Sequence, residues 1–184
     1  MAGMTAGQWV SLAVAAILVF WMVGAYNRLV ALRSAIGSAF QQVDELLRRR
    51  QAAIEPLVAC ARPSMPAEQG ALDAWLGAML QVRHAADALR ARPVMAPLAQ
   101  GMVNAEAAMA AAGSRVRALL DQHPEVLALP EAAEHLATLR EVEPRLVFAR
   151  QVYNDAAATY NQAARQFPTQ LLTRLYGFGT AGRL

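Results

Sequence analysis

The side chains able to do chemistry are few in this sequence, and they are scattered. Three histidines stand at His84, His123 and His135, in or beside different segments. None has a second His or Cys at the spacing a metal requires, so surface or loop positions are expected for them. Cys60 falls near a helix end with no base partner in view. Asp44 and Glu45 follow the inner position Val43 in the heptad reading, which points them at solvent. Asp121, Gln122, His123 and Pro124 read as a helix terminus rather than an acid–base pair, with Pro124 stopping the helix and His123 at its negative end. There is no Gly-rich phosphate loop and no strand–helix nucleotide fingerprint. No catalytic residue, metal ligand or cofactor is expected, nor a small-molecule substrate. The chain reads as a structural or interaction protein rather than an enzyme.

The densest charge is Arg48-Arg49-Arg50. Three successive helical residues spread over about 200° of the circumference, so one of them must lie near the packed side, where its stem can snorkel. Arg50 falls on the inner heptad line and is the one expected there. The net charge of +3 rests on 17 arginines with no lysine. Genome composition accounts for this better than phosphate recognition does, and no nucleic acid partner is expected.

The elements that position these groups begin with an apolar run. The first 27 residues carry no charged side chain, and residues 9–25 are almost unbroken apolar sequence ending before Arg28. Seventeen helical residues rise about 25 Å, and Gln8 and Tyr26 bring the span close to the roughly 30 Å hydrocarbon core of a bilayer. Trp9, Trp21 and Tyr26 sit near the ends, where amphipathic rings prefer the headgroups. A cleaved signal peptide is the competing reading, with Val23-Gly24-Ala25 as its cleavage site. The segment before the run lacks the basic residues such a signal uses, which favours a retained anchor. No arginine precedes the run, whereas Arg28 and Arg33 follow it. The positive-inside bias therefore places the N-terminus outside and the rest in the cytoplasm. The single cysteine, which excludes an intrachain disulfide, fits a reducing compartment.

Beyond the anchor, apolar residues recur at alternating steps of three and four in four segments. The first is Leu29, Leu32, Ile36, Ala39, Val43 and Leu46, widened by Phe40, Leu47 and Ile54. The second is Leu72, Trp75, Met79, Val82, Ala86 and Leu89, and the third Leu98, Met102, Ala105, Met109, Ala112, Val116 and Leu119. The fourth is Leu139, Val142, Leu146, Ala149, Tyr153, Ala156, Tyr160, Ala163 and Phe167. Sustained heptads mark helices packed at shallow angles, and no segment alternates like a strand. Pro63 and Pro66, Pro93 and Pro97, and Pro124 and Pro130 separate the segments, while Pro56 and Pro144 fall inside them and should kink their helices. The expected fold is all-α: an N-terminal transmembrane helix, then an antiparallel four-helix bundle with long first and fourth helices. The divisions are residues 1–27 for tail and anchor, 28–168 for the bundle and 169–184 for a C-terminal tail. Alanine-rich seams leave Trp75, Phe40, Tyr153, Tyr160 and Phe167 as the expected packing anchors.

In an up-down-up-down order the first helix leaves the membrane and the fourth returns to it. The long pair should overhang the short pair by about 15 Å at the membrane-proximal end. Leu171, Leu172, Arg174, Leu175 and Phe178 then arrive near the bilayer. Their composition suits either contact with the headgroup boundary or capping of the bundle's open end.

The two ends of this chain resemble the LemA family. At the front the resemblance rests on Tyr26, Asn27, Arg28, Leu29, Val30, Ala31, Leu32 and Arg33, then on residues 39–44 and the arginine cluster. In the fourth helix it rests on Arg150, Tyr153 and Asn154, then Tyr160 and Asn161, then Phe167 and Pro168, and finally residues 175–179. Ala118, Leu119 and Leu120 with residues 124–127 are similar to the family's third-helix ending. The chain departs from the family pattern at Phe40, Pro56 and Pro144, and residues 60–114 match only in pattern. The resemblance implies a single-pass protein of the bacterial inner membrane with a cytoplasmic helical bundle and no established enzymatic activity. One branch of the family is associated with shaping magnetosome membranes. A scaffolding or membrane-shaping role follows as the expectation, with lipid and a protein partner or self-association as its contacts. The alternatives are an adaptor for a neighbouring membrane enzyme such as a protease, or a secreted bundle if the first segment is cleaved. Asn154 and Asn161 share one heptad phase, and their amides are expected to fix helix register in preference to forming a ligand site.

Overall fold

The computed structural model describes residues 6–166, 169–170 and 179–184. The described residues are helical throughout apart from turns, loops and residues 179–184, which form no helix. The elements are α1 (Ala6–Ala61), a 3-10 turn (Pro66–Glu68), α2 (Gln69–Ala91), α3 (Ala96–Leu120), α4 (Pro124–Leu127) and α5 (Pro130–Arg165). The prolines explain most of these breaks. Pro97, Pro124 and Pro130 occupy first-turn positions of α3, α4 and α5, where a missing N–H costs nothing and φ is already helical. Pro56 and Pro144 lie inside α1 and α5.

Two features differ from the sequence expectation. The apolar run and the first heptad segment are one uninterrupted helix of 56 residues, because no proline falls near residue 27 to break it. The short helix α4 sits between Pro124 and Pro130, a spacing too brief for periodicity to reveal.

Helix α1 packs along α5, and α2 packs along α3. Phe40 meets Tyr153 edge-on, with ring centroids 6.0 Å apart, and further along, Arg50 approaches Glu143. The numbers rise on α1 as they fall on α5, so the two run in opposite directions. The same reasoning applies to α2 and α3, where Trp75 lies against Gly113 and Ala88 faces Pro97.

The buried set follows the heptads closely. Leu29, Ile36, Phe40 and Val43 of α1 are sealed, as are Leu72, Trp75, Met79, Val82, Ala86 and Leu89 of α2 and Leu146, Tyr153 and Tyr160 of α5. In α5 the seam passes through Ala157 rather than Ala156. In α3, Ala99, Gly113 and Leu120 are buried, while Leu98, Ala105, Ala112 and Leu119 are only partly covered. A 3.6-residue period drifts against a seven-residue repeat, so a long seam moves by one position. Phe167, the last expected anchor, lies outside the described residues.

Gly113 has a packing reason. A Cβ there would stand 2.9 Å from the Trp75 indole nitrogen, so the missing side chain is what admits the ring between α2 and α3.

Candidate functional site

Burial along α1 begins at Leu29. Before it, the helix projects with its apolar side chains uncovered, and its most apolar 18-residue window has a mean hydropathy of 2.0 with none of it buried. Trp9, Trp21 and Tyr26 are all exposed, and Asn27 is exposed beside them. This is the only helix among the described residues long and apolar enough to cross a membrane. At its base, Phe20, Trp21, Gly24 and Arg28 share a shallow cleft with Gln166 and Thr169, so the chain leaving α5 comes back beside the apolar segment.

The long helices overhang the short ones. The end of α2 is level with Asp44, to which Arg90 donates from Nε at 3.1 Å and from a second guanidinium nitrogen. From Arg28 to Asp44 is 16 residues, or about 24 Å of helix, rather more than the expected 15 Å. Residues 179–184 lie in this overhang, against α5 and the first turns of α3.

Five hydrogen bonds from α5 hold that segment. The Asn161 amide donates to the Ala181 carbonyl at 2.8 Å and accepts from the Ala181 N–H at 2.9 Å. Asn154 does the same with Leu184, at 2.8 and 2.7 Å. Tyr160 donates from its hydroxyl to the Gly179 carbonyl at 3.1 Å. A carboxamide offers one donor and one acceptor side by side, so it pairs with a residue's N–H and C=O as a neighbouring strand would. The spacing fits: seven helical residues rise about 10.5 Å, and three extended residues span about 10 Å. Asn154 and Asn161 thus clamp an extended backbone instead of bridging two helices, which corrects the register reading. Gly182 passes so close to α3 that a Cβ would lie 2.5 Å from Ala99 Cβ and 2.9 Å from Ala96 Cα.

The repeated Tyr-Asn pattern acquires a meaning here. Tyr153, one heptad before Tyr160, donates to the Pro93 carbonyl in the α2–α3 connection at 2.8 Å. Each Tyr-Asn pair holds backbone that has no helical partner. Burial raises both phenols above their usual pKa, Tyr153 to about 12, so both stay protonated donors.

Below the clamp, α1, α3 and α5 meet at a charged cluster. Arg50 donates to Glu106 from both terminal guanidinium nitrogens, one of them at 3.0 Å, and Arg150 donates to the same carboxylate. Glu143 lies 3.8 Å from Arg50. Arg50 is buried, as its inner heptad position implies, while Arg48 and Arg49 are exposed and pair with Asp44 and Glu45. The cluster floors a cleft of about 540 Å³ between α3 and α5, with Met102, Met109, Trp75 and Leu184 on its walls.

Asp44 corrects the solvated-face expectation: it is buried, held by Arg90 and Arg48. The α2 terminus that covers it lies 46 residues away, and only tertiary packing brings it there. Glu45 is exposed as expected.

The remaining candidates stay apart. Cys60 donates its thiol to the Leu57 carbonyl at 3.1 Å, and burial followed by nearby Glu131 pushes its pKa up, away from thiolate reactivity. His123 precedes α4, with Nδ1 2.8 Å from Glu125 and Nε2 3.8 Å from Glu68. Its hydrogen bond to Glu125 raises the imidazole pKa and lowers that of the carboxyl. No group of three or more metal-ligating side chains occurs among the described residues. Phe167, Pro168, Leu171, Leu172, Arg174, Leu175 and Phe178 lie outside the described residues.

No relative among the curated proteins matches the chain. The model of the LemA family matches residues 39–183, a stretch that takes in the arginine cluster, both Tyr-Asn pairs and most of the segment they clamp. An all-helical chain matched over most of its length, the protein belongs to the LemA family.

Proposed function

We propose that this protein is a single-pass, membrane-anchored scaffold whose long helices form an antiparallel four-helix bundle at the cytoplasmic face, with a structural or membrane-shaping role. One observation carries the reading: the uncovered apolar segment and the core-forming part of α1 are one continuous helix. An anchor joined by a flexible linker would leave its domain free to tumble. A continuous helix instead fixes the folded part against the bilayer, as a shaping or scaffolding protein requires. Arg28 and Arg33 just beyond the apolar run support the cytoplasmic placement. The cleft joining Gln166 and Thr169 to Phe20 and Trp21 supports a second approach of the chain to the headgroups.

A second reading, an adaptor that docks a neighbouring membrane enzyme, is favoured by Val147 and Phe148, which stand largely exposed on the outer face of α5. Exposed apolar side chains clustered on one surface suit protein contact.

Membrane fractionation and cysteine labelling test both attachment and orientation. The protein should stay in membranes after a high-salt wash. In a Cys60→Ser background, Ala2→Cys should react with an impermeant maleimide from outside, and exposed Ser114→Cys only after lysis. A soluble product beginning at Tyr26 would instead identify a secreted bundle, and the reverse labelling pattern would overturn the orientation.

A further inference from the structure

We propose that the groove between α5 and the first turns of α3 is a peptide-binding site for an extended segment with glycine at its centre, and that a second copy of this chain can supply that segment. Its resident occupant is residues 179–184. The recognition is almost entirely through backbone: Tyr160 and the amides of Asn161 and Asn154 bond carbonyls and N–H groups at residues 179, 181 and 184. Side chains contribute selection at three positions. Position 182 admits only glycine, because Ala96 and Ala99 approach within 2.9 Å of any Cβ. Ala181 and Leu184 pack against the core.

These contacts use groups that any copy of the segment carries, so the clamp makes the same bonds whether the segment arrives from its own chain or from another. Addition of an extended peptide through paired backbone bonds, with selection at alternate side chains, is a recurring mode of peptide recognition. Here two helix-borne amides, one heptad apart, take the place of a sheet edge. The proposal stands independently of the membrane reading, since it concerns self-association through residues 154–184.

Two full-length variants separate clamp from ligand. Gly182→Ala keeps the clamp but cannot seat its own segment; Asn154→Ala with Asn161→Ala keeps the segment but loses the clamp. Each alone should remain unassociated in detergent, and an equimolar mixture should form a one-to-one complex on sizing with light scattering. A labelled peptide Gly-Thr-Ala-Gly-Arg-Leu should bind Gly182→Ala at least about tenfold more tightly than it binds the native chain or the double-asparagine variant. A peptide with alanine at the second glycine should not bind. A mixture no more associated than its components overturns exchange between copies, and peptide binding indifferent to the asparagines overturns the site itself. Hydrogen exchange on the native chain covers the case where Gly182→Ala fails to fold. The amides of Ala181 and Leu184 should exchange at least about tenfold more slowly than those of Thr180 and Arg183, and equal rates overturn the clamp.

Discussion

Replacing Glu106 with alanine should be among the most damaging single changes available in this chain. Its carboxylate is 12% exposed and takes hydrogen bonds from Arg50, whose side chain is 6% exposed, and from Arg150 at 27%. The variant leaves two guanidiniums facing Glu143 alone, which is 3.8 Å from Arg50 and half exposed to water. Removing one partner of a buried pair costs about 3–5 kcal/mol, because the other charge stays desolvated without compensation. For a folded part of 157 residues, the 184 of the chain less the first 27, this corresponds to a fall in Tm of roughly 6–20 °C. Far-UV circular dichroism melts of the detergent-solubilised protein measure it. A second variant checks the cause: Arg50→Met with Glu106→Leu removes buried charge in equal amounts and should recover most of the loss, since apolar replacements of buried pairs are often neutral or stabilising. Loss in Glu106→Ala below about 1 kcal/mol, the scale of an exposed pair, would refute the claim that the cluster ties α3 to α1 and α5. So would a double variant no more stable than the single.

Tyr153→Phe removes the bond to the Pro93 carbonyl while keeping the ring, and should cost about 1 kcal/mol; Tyr153→Ala should cost about 3–5 kcal/mol because a cavity remains. Chemical denaturation of the pair decides it: unchanged stability in Tyr153→Phe would remove the hydroxyl from the account, and equal losses in the two variants would remove the ring. Gly113→Ala gains about 1 kcal/mol of helix propensity but presses on the Trp75 ring, and overpacking of about 1–3 kcal/mol should outweigh it. A raised Tm would contradict this packing. The His123–Glu125 pair gives a pH signature: the raised imidazole contributes stability below its ordinary pKa of 6.5 that is lost as pH rises through the folded value. The lowered carboxyl contributes above 4.5 and is lost as pH falls through its folded value. The contribution is therefore largest between those two values, and His123→Gln should flatten the decline in Tm from about pH 6 to 8. An unchanged profile would show that the contact carries no linkage.

The sequence by itself determined everything that repeats locally. The helical class, the four long segments and their prolines, the uncovered apolar run and the inward placement of Arg50 all follow from a 3.6-residue period acting on neighbours along one chain. The family resemblance at Tyr153, Asn154, Tyr160 and Asn161 was likewise legible, though not what those residues do. Tertiary structure decided the partners. Asp44 became buried because Arg90 and the end of α2 arrive beside it. Glu106, which no motif singled out, became the centre of a cluster because α1, α3 and α5 converge there. The asparagines became a clamp because residues 179–184 turn back along α5, and their bonds connect positions 20 and 30 residues apart. Helical periodicity fixes which face a residue occupies. It carries no information about which distant segment will cover that face, and the two clamps on extended backbone lie beyond its reach.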